Sequence, residues 1–195
     1  MAAPTPLPVP VAGIGLVLAG RSVGLRTRVL VAGIVPAPRF GREGEVLATA
    51  AAVRDAGADL VDVSLPPRLV GPAARSGIAP VAVRAGSAAE VEAARRAGAA
   101  VVLVGSELAE ELGDGPGATA VIAGDLAALA AAREVAERRG LPLALDAGGW
   151  TGPEAVGREA AAVALGCRLI RTADVRRSRR VAEVMGAILA AREGA

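Results

Sequence analysis

The chain contains no histidine, lysine, asparagine, glutamine or tyrosine. Those absences exclude imidazole general bases, Schiff-base amines, side-chain amide donors and histidine metal sites. What remains for chemistry is Asp, Glu, Arg, Ser, Thr and one cysteine. Aromatic residues make up 1% of the 195, one Phe and one Trp, so the core must come from small and branched aliphatics at close helix–strand contacts. Cys167 stands alone, which excludes an intrachain disulfide and fits a reducing compartment. Its place between Gly166 and an apolar run favours a buried small hydrophobe over a nucleophile. A structural zinc lacks its ligands. The opening MAAPTPLPVPVAGIGLVLAG has no basic n-region and is broken by prolines, too short for a membrane span. No membrane partner and a cytoplasmic location are expected.

What is present is a rhythm. Hydrophobic residues reach 53%, net charge is +2, and the pI near 9.8 reflects a small arginine excess without a basic tail. That balance does not point to nucleic acid. The run RRSRR, 176–180, lacks the interleaved aromatics and broad basic face of a nucleic-acid binder. Short apolar runs fall at 28–35, 59–64, 79–85, 100–105, 118–124, 141–148 and 168–175. Between them lie segments of helical period, 43–57, 87–98, 125–140 and 153–166, each ending on glycine, the usual helix stop. Aliphatic runs without clean alternation read as parallel strands buried on both faces. The repeated βα pattern predicts an α/β fold, a TIM-type (β/α) barrel first and an open doubly wound sheet second. GIVPAPRFGREG after the first run lacks the spacing of a dinucleotide-binding loop. Residues 7–27 read as a hairpin that could close the bottom of a barrel. Residues 1–6 are expected to be a flexible lead and 7–195 one domain.

In a βα-barrel, chemistry sits at the carboxyl ends of the strands. Residues two apart on a strand share a face, which marks Asp62, Arg84, Asp146 and Arg171 as mouth-facing, with Asp125 just after the fifth strand. Loops add Arg39 and Arg68, and Arg176 and Arg177 follow the last strand. Converging arginines would make an anion site, aided by helix N-terminal amides. The competing arrangement pairs Arg84 with Asp146 or Asp62 and leaves Arg176 to Arg180 in solvent or on Glu183. Four arginines crowd the first turns of the helix expected from about Asp174, where the helix dipole disfavours cations.

The order and spacing of these segments resemble the dihydropteroate synthase family, the pterin-binding βα-barrels of folate synthesis. LVLAGRSVGLRTRVLVAGIV resembles that family's N-terminal hairpin and first strand. AAVRDAGADLVDV is similar to its helix and second strand, and VAVRAGSAAEVEAARRAGAAVVLV to its third strand, helix and fourth strand. LALDAGGW resembles the family's LDPGIGF loop, and RLIRTADV its terminal IVRVHDV. The resemblance implies a barrel with an N-terminal β-hairpin and one βα unit missing, because Trp150 leads through a single helix into the last strand.

Position by position, the resemblance also implies lost function. The family's NVTPDSF loop, which binds magnesium and diphosphate, is replaced by PAPRF from Pro36. Arg84 stands where the family has a pterin-binding Asp, and Leu103 and Val104 replace an Asn-Asp pair. Asp146 retains the next pterin-binding Asp. The lysine-bearing loop is deleted. Arg171 keeps the arginine of the final Arg-x-His pair, the His being Ala173, and Arg68 falls near a substrate-side arginine. A donor in place of an acceptor, and an apolar side chain that leaves a ring group unpaired at about 1–3 kcal/mol, both oppose pterin recognition. The expectation is a non-catalytic paralogue whose arginine-lined rim binds an anion or a partner. The alternative is an enzyme that condenses a pterin diphosphate, or another phosphate-bearing substrate, with an amine. Magnesium would be needed only if activity is retained, held by Asp carboxylates and backbone oxygens. Expected partners are a phosphate-bearing or pterin-like small molecule, and a homodimer or a heteromer with an active relative. The final helix offers an apolar stripe for barrel packing or for such a contact, at Val181, Val184, Met185, Ile188 and Leu189.

Overall fold

The computed structural model describes residues 15–18, 21–36, 43–63, 67–112 and 118–193. The expected lead over 1–6 and the anion candidate Arg39 lie outside the described residues, as does the side chain of Arg68.

Strands β1 (Gly15–Leu18) and β2 (Arg21–Gly24) form an antiparallel hairpin. Seven parallel strands follow: β3 (Leu30–Ile34), β4 (Leu60–Asp62), β5 (Val81–Ala85), β6 (Val101–Val104), β7 (Ala118–Ala123), β8 (Leu143–Asp146) and β9 (Leu169–Thr172). Each pairs with the next, and β9 pairs with β3 through Leu30–Leu169 and Gly33–Thr172, so the sheet is a closed barrel. The helices between and after them are α1 (Glu43–Asp55), α2 (Pro67–Arg75), α3 (Ala88–Arg96), α4 (Ser106–Glu111), α5 (Leu129–Arg139), α6 (Gly152–Ala164) and α7 (Val175–Glu193). The barrel, not the open sheet, is the outcome of the repeating pattern.

Period-two alternation divides the strand residues between two buried regions. Leu30, Ala32, Leu60, Ala82, Leu103, Ala144 and Leu169 fill the interior, while Val31, Val61, Val83, Val102, Val121 and Ile170 meet the helices. Both sets are buried, which is why the runs look continuously apolar. Barrel width grows with strand number, so seven strands enclose a slim interior. Ala32, Ala82, Ala120 and Ala144, each fully buried, match that width, and this is where a chain almost without aromatics has an advantage. Leu16 and Leu18 from the hairpin, with Leu25 after it, join the interior cluster. The described part of the hairpin thus plugs the end where the strands begin.

The helices sit close because small residues face them. A Cβ on Gly33 would lie 2.3 Å from Val53 Cγ1 and 2.7 Å from Val175 Cγ2, so its absence lets α1 and α7 rest on β3. The glycine stops behave as the sequence implies: Gly140 caps α5 at φ +63°, and Gly57, Gly98 and Gly166 also take positive φ. Two helices are not evident from periodicity. Helix α2 opens on Pro67, suited to a first helical position, and carries Pro72 inside. Helix α4 has only six residues. Among the described residues no helix is long and apolar enough to cross a membrane.

Candidate functional site

The alternation that turns Leu60, Ala82, Ala144 and Leu169 into the barrel carries the residue two further along each strand onto the same face. Those residues are Asp62, Arg84, Asp146 and Arg171, at the carboxyl ends of β4, β5, β8 and β9. They meet. Arg171 donates through Nε to Asp62 Oδ2 at 2.6 Å and through Nη1 to Asp146 Oδ1 at 2.9 Å. Arg84 Nη1 donates to Asp146 Oδ2 at 2.9 Å. Asp146 is therefore shared between two guanidinium groups, and a chain of ion pairs runs β4–β9–β8–β5 across the mouth.

Burial makes this cluster more than surface charge. The Asp62 side chain is 0% exposed, Arg171 12% and Asp146 15%, while Arg84 remains 53% exposed. Burial alone would lower the Arg171 pKa. The charges of Asp62 and then Asp146, with their hydrogen bonds, outweigh it and raise the guanidinium above its ordinary value. Gly148, in the loop after β8, lies directly against the cluster. Its N–H donates to Asp146 Oδ1 at 3.1 Å, and a Cβ there would stand 2.7 Å from Ile34 Cδ1 and 3.1 Å from both Arg171 Nη1 and Asp146 Oδ1.

The other candidates lie elsewhere. Asp125 is exposed and accepts from Ala128 N at 2.8 Å, capping the turn before α5. Arg68 belongs to the first turn of α2. Arg177 turns between α6 and α7: Nη2 donates to Glu159 Oε1 at 2.9 Å and Nη1 to the Trp150 carbonyl at 3.0 Å. Arg176, at the start of α7, is exposed. Arg179 reaches Asp59 and the Gly57 carbonyl. The expected alternatives for this run, solvent or Glu183, are thus corrected for Arg177 and Arg179, whose partners are buried or half-buried groups on other elements.

Sequence reasoning missed Glu159, fully buried, which also accepts from Ser178 Oγ at 2.9 Å. A signal was present. Glu159 follows Ala155 by four residues and precedes Ala162 and Val163 by three and four, so it lies on the stripe that α6 buries. A carboxylate on such a stripe requires a buried cation. Cys167 is fully buried with its thiol donating to the Leu169 carbonyl at 3.1 Å, and burial pushes its pKa up to about 12.

Chemically, the mouth offers two carboxylates, each accepting from a guanidinium, and one arginine with donors still turned to solvent. Among the described residues no group of three or more His, Cys, Asp or Glu is placed to hold a metal ion.

No family model and no curated protein matches the sequence. Solved structures do match. The Yersinia pestis dihydropteroate synthase aligns at TM-score 0.64 and 20% identity, covering 93% of this chain and 100% of that one. The Xanthomonas albilineans enzyme in complex with 7,8-dihydropteroate aligns at 0.62 and 19%, covering 91% and 99%. The same enzyme with 4-aminobenzoic acid aligns at 0.64 and 18%, covering 91% and 98%. With its hairpin-plugged ring and its polar cluster at the strand ends, the chain is built on the dihydropteroate synthase fold, in a shortened form with seven barrel strands.

Proposed function

We propose that this chain is a non-catalytic dihydropteroate synthase-like protein, one that does not join a pterin diphosphate to an aromatic amine. One observation carries this reading: Arg171 spans Asp62 and Asp146, and Arg84 takes the second oxygen of Asp146. A pterin ring presents N–H donors and ring acceptors, and needs carboxylate and amide partners that are free to meet it. Here the carboxylates already accept charge-assisted hydrogen bonds, roughly twice as strong as neutral ones. A neutral ring donor would have to displace a guanidinium that is mostly buried and would then be left unpaired, at about 1–3 kcal/mol or more. The chain also has no Asn, Gln, His or Lys to supply the remaining ring contacts or to help diphosphate depart.

The direct test is turnover and binding together. The purified chain is incubated with pterin diphosphate, 4-aminobenzoate and magnesium, and released diphosphate is measured alongside thermal unfolding. No product and no stabilisation are expected. Diphosphate release that disappears in Arg171→Ala refutes the proposal.

A second reading, an altered enzyme for another phosphate-bearing substrate, is favoured by the exposure of Arg84, which has donors beyond the one given to Asp146. It predicts that phosphate or diphosphate raises the melting temperature and that Arg84→Ala abolishes the shift. At a hundredfold excess over Kd the stabilisation would be about 2.7 kcal/mol.

A further inference from the structure

The hairpin that opens the described chain closes the barrel without belonging to its sheet. Strands β1 and β2 pair with each other, and among the described residues neither joins the ladder of the seven parallel strands. A two-stranded hairpin is marginal by itself in water, so β1 and β2 owe their order to docking. Part of that docking is apolar. Leu16, Leu18 and Leu25 are buried in the interior cluster with Leu30, Leu103 and Leu169. Among the described residues, no ladder hydrogen bond to the barrel has to break for the two strands to leave.

Two polar ties hold the segment that joins the hairpin to β3. The first is Arg168, buried just before β9. Its Nε donates to the Arg26 carbonyl at 3.2 Å, and its Nη1 to the Val163 and Cys167 carbonyls at 3.0 and 2.8 Å. A buried guanidinium needs such acceptors, so Arg168 clasps the exit of the hairpin to the end of α6. The second tie is the far end of α7. From Val175, beside the mouth, that helix advances about 27 Å to Glu193, whose Oε1 meets Arg26 Nε at 2.7 Å. Two turns earlier, Gly186 lets the helix come so close that a Cβ there would stand 3.2 Å from the Thr27 carbonyl oxygen.

We propose that the hairpin is a detachable plug, clasped by Arg168 and strapped by the end of α7, that leaves and re-enters the barrel while the seven-stranded ring stays closed. The ring has its own closure in the pairing of β3 with β9. Its outer face keeps Val31, Val61, Val102, Val121 and Ile170 packed with the helices when the plug is out. Opening uncovers the interior leucines and breaks the ties at Arg26, which exposes far less surface than unfolding the whole chain. Elements held in this way open locally, below the free energy of global unfolding. The plug sits at the end opposite the mouth, so it works in the same way whether or not the mouth is catalytic.

The experiment is hydrogen exchange of the full chain, read by mass spectrometry in rising, sub-denaturing urea. Peptides covering β1 and β2 are compared with those covering β5 to β7. Relative to intrinsic rates, the hairpin should exchange about tenfold faster or more, with a shallower urea dependence because its opening exposes less surface. Val91→Ala, at a fully buried position where α3 packs on the outside of the barrel, weakens the plugged and unplugged forms alike. It should therefore speed exchange of β5 to β7 about tenfold and leave the hairpin unchanged. Arg168→Met should speed hairpin exchange about fivefold or more. Glu193→Ala, a change at the end of α7 that leaves the core intact, should speed it about twofold. Hairpin and barrel exchanging at one rate with one urea slope would make them a single cooperative unit and overturn the proposal. So would a Val91→Ala effect equal in both, or hairpin exchange that neither Arg168→Met nor Glu193→Ala alters.

Discussion

Replacing Arg177 by methionine tests why arginines occupy the start of α7. A cation in a first helical turn opposes the dipole by about 0.3–1 kcal/mol, so something larger must favour it. The Arg177 side chain is only 13% exposed and its partner Glu159 0%. Glu159 Oε1 takes hydrogen bonds of 2.9 Å from both Arg177 and Ser178, while Oε2 has no partner among the described residues. Removing the guanidinium leaves a buried carboxylate with one neutral hydroxyl, a loss of about 3–5 kcal/mol. Solvent screening does not rescue it at this burial, unlike an exposed pair. Arg177→Met should therefore lower the urea-unfolding free energy by about that amount. At about 2–4 °C per kcal/mol for a chain of this size, the melting temperature falls by about 6–20 °C. Glu159→Met in the same chain should restore stability to within about 1 kcal/mol of the parent, because an apolar pair often replaces a buried ion pair without loss. Arg176→Met, exposed and unpaired, serves as the control and should stay within about 0.5 kcal/mol. A harmless Arg177→Met, or a double variant no more stable than the single one, would refute the reasoning.

Two further outcomes follow from burial and close approach. Cys167 should resist thiol reagents at pH 8 in the folded protein and react fully in concentrated urea, since its pKa lies at about 12 against an ordinary value of 9.0. Because the folded thiol holds its proton more tightly than the unfolded one, its contribution to stability is complete below pH 9 and drains away as pH climbs toward 12. Cys167→Ala should flatten that alkaline decline. Gly148→Ala should destabilise by about 1–3 kcal/mol through overpacking at the mouth, read by urea melts. Gly149→Ala, with nothing within 4 Å of the new Cβ, should change stability by less than about 0.5 kcal/mol. Equal effects at the two positions would mean that the ion-pair cluster yields freely.

The strands were legible because a residue buried on both sides leaves a run of Val, Leu and Ala that few other structures tolerate. Each predicted run contains its observed strand, with ends trimmed by up to three residues. Helices α1, α3, α5 and α6 were legible from period and glycine stops. Helix α2 was hidden by its two prolines, and α4 is shorter than two turns. That Asp62, Arg84, Asp146 and Arg171 share one opening follows from two-residue alternation alone. How they partition their hydrogen bonds does not, because it depends on strand register, which fixes Asp146 opposite Arg171. The fate of RRSRR was equally hidden in the local sequence. Arg177 and Arg179 are held by Glu159 and Asp59, 18 and 120 residues away, and only the wrapped barrel brings those groups together.

The pairing of β3 with β9 also sets the order in which the protein can be made. A ribosome adds about 5–20 residues per second, and Leu169 emerges about 140 residues after Leu30, so β3 waits about 7–28 s for its second neighbour. Throughout that interval the nascent sheet has two open parallel edges, rich in Val, Leu and Ala, able to pair with another chain. The interior leucines supplied by the hairpin, with α1 on the outer face, then cover the strand that must wait longest. A chain truncated before β9 retains both edges permanently. Production of full-length protein should therefore respond to chaperone supply and to synthesis rate far more than its small size would suggest.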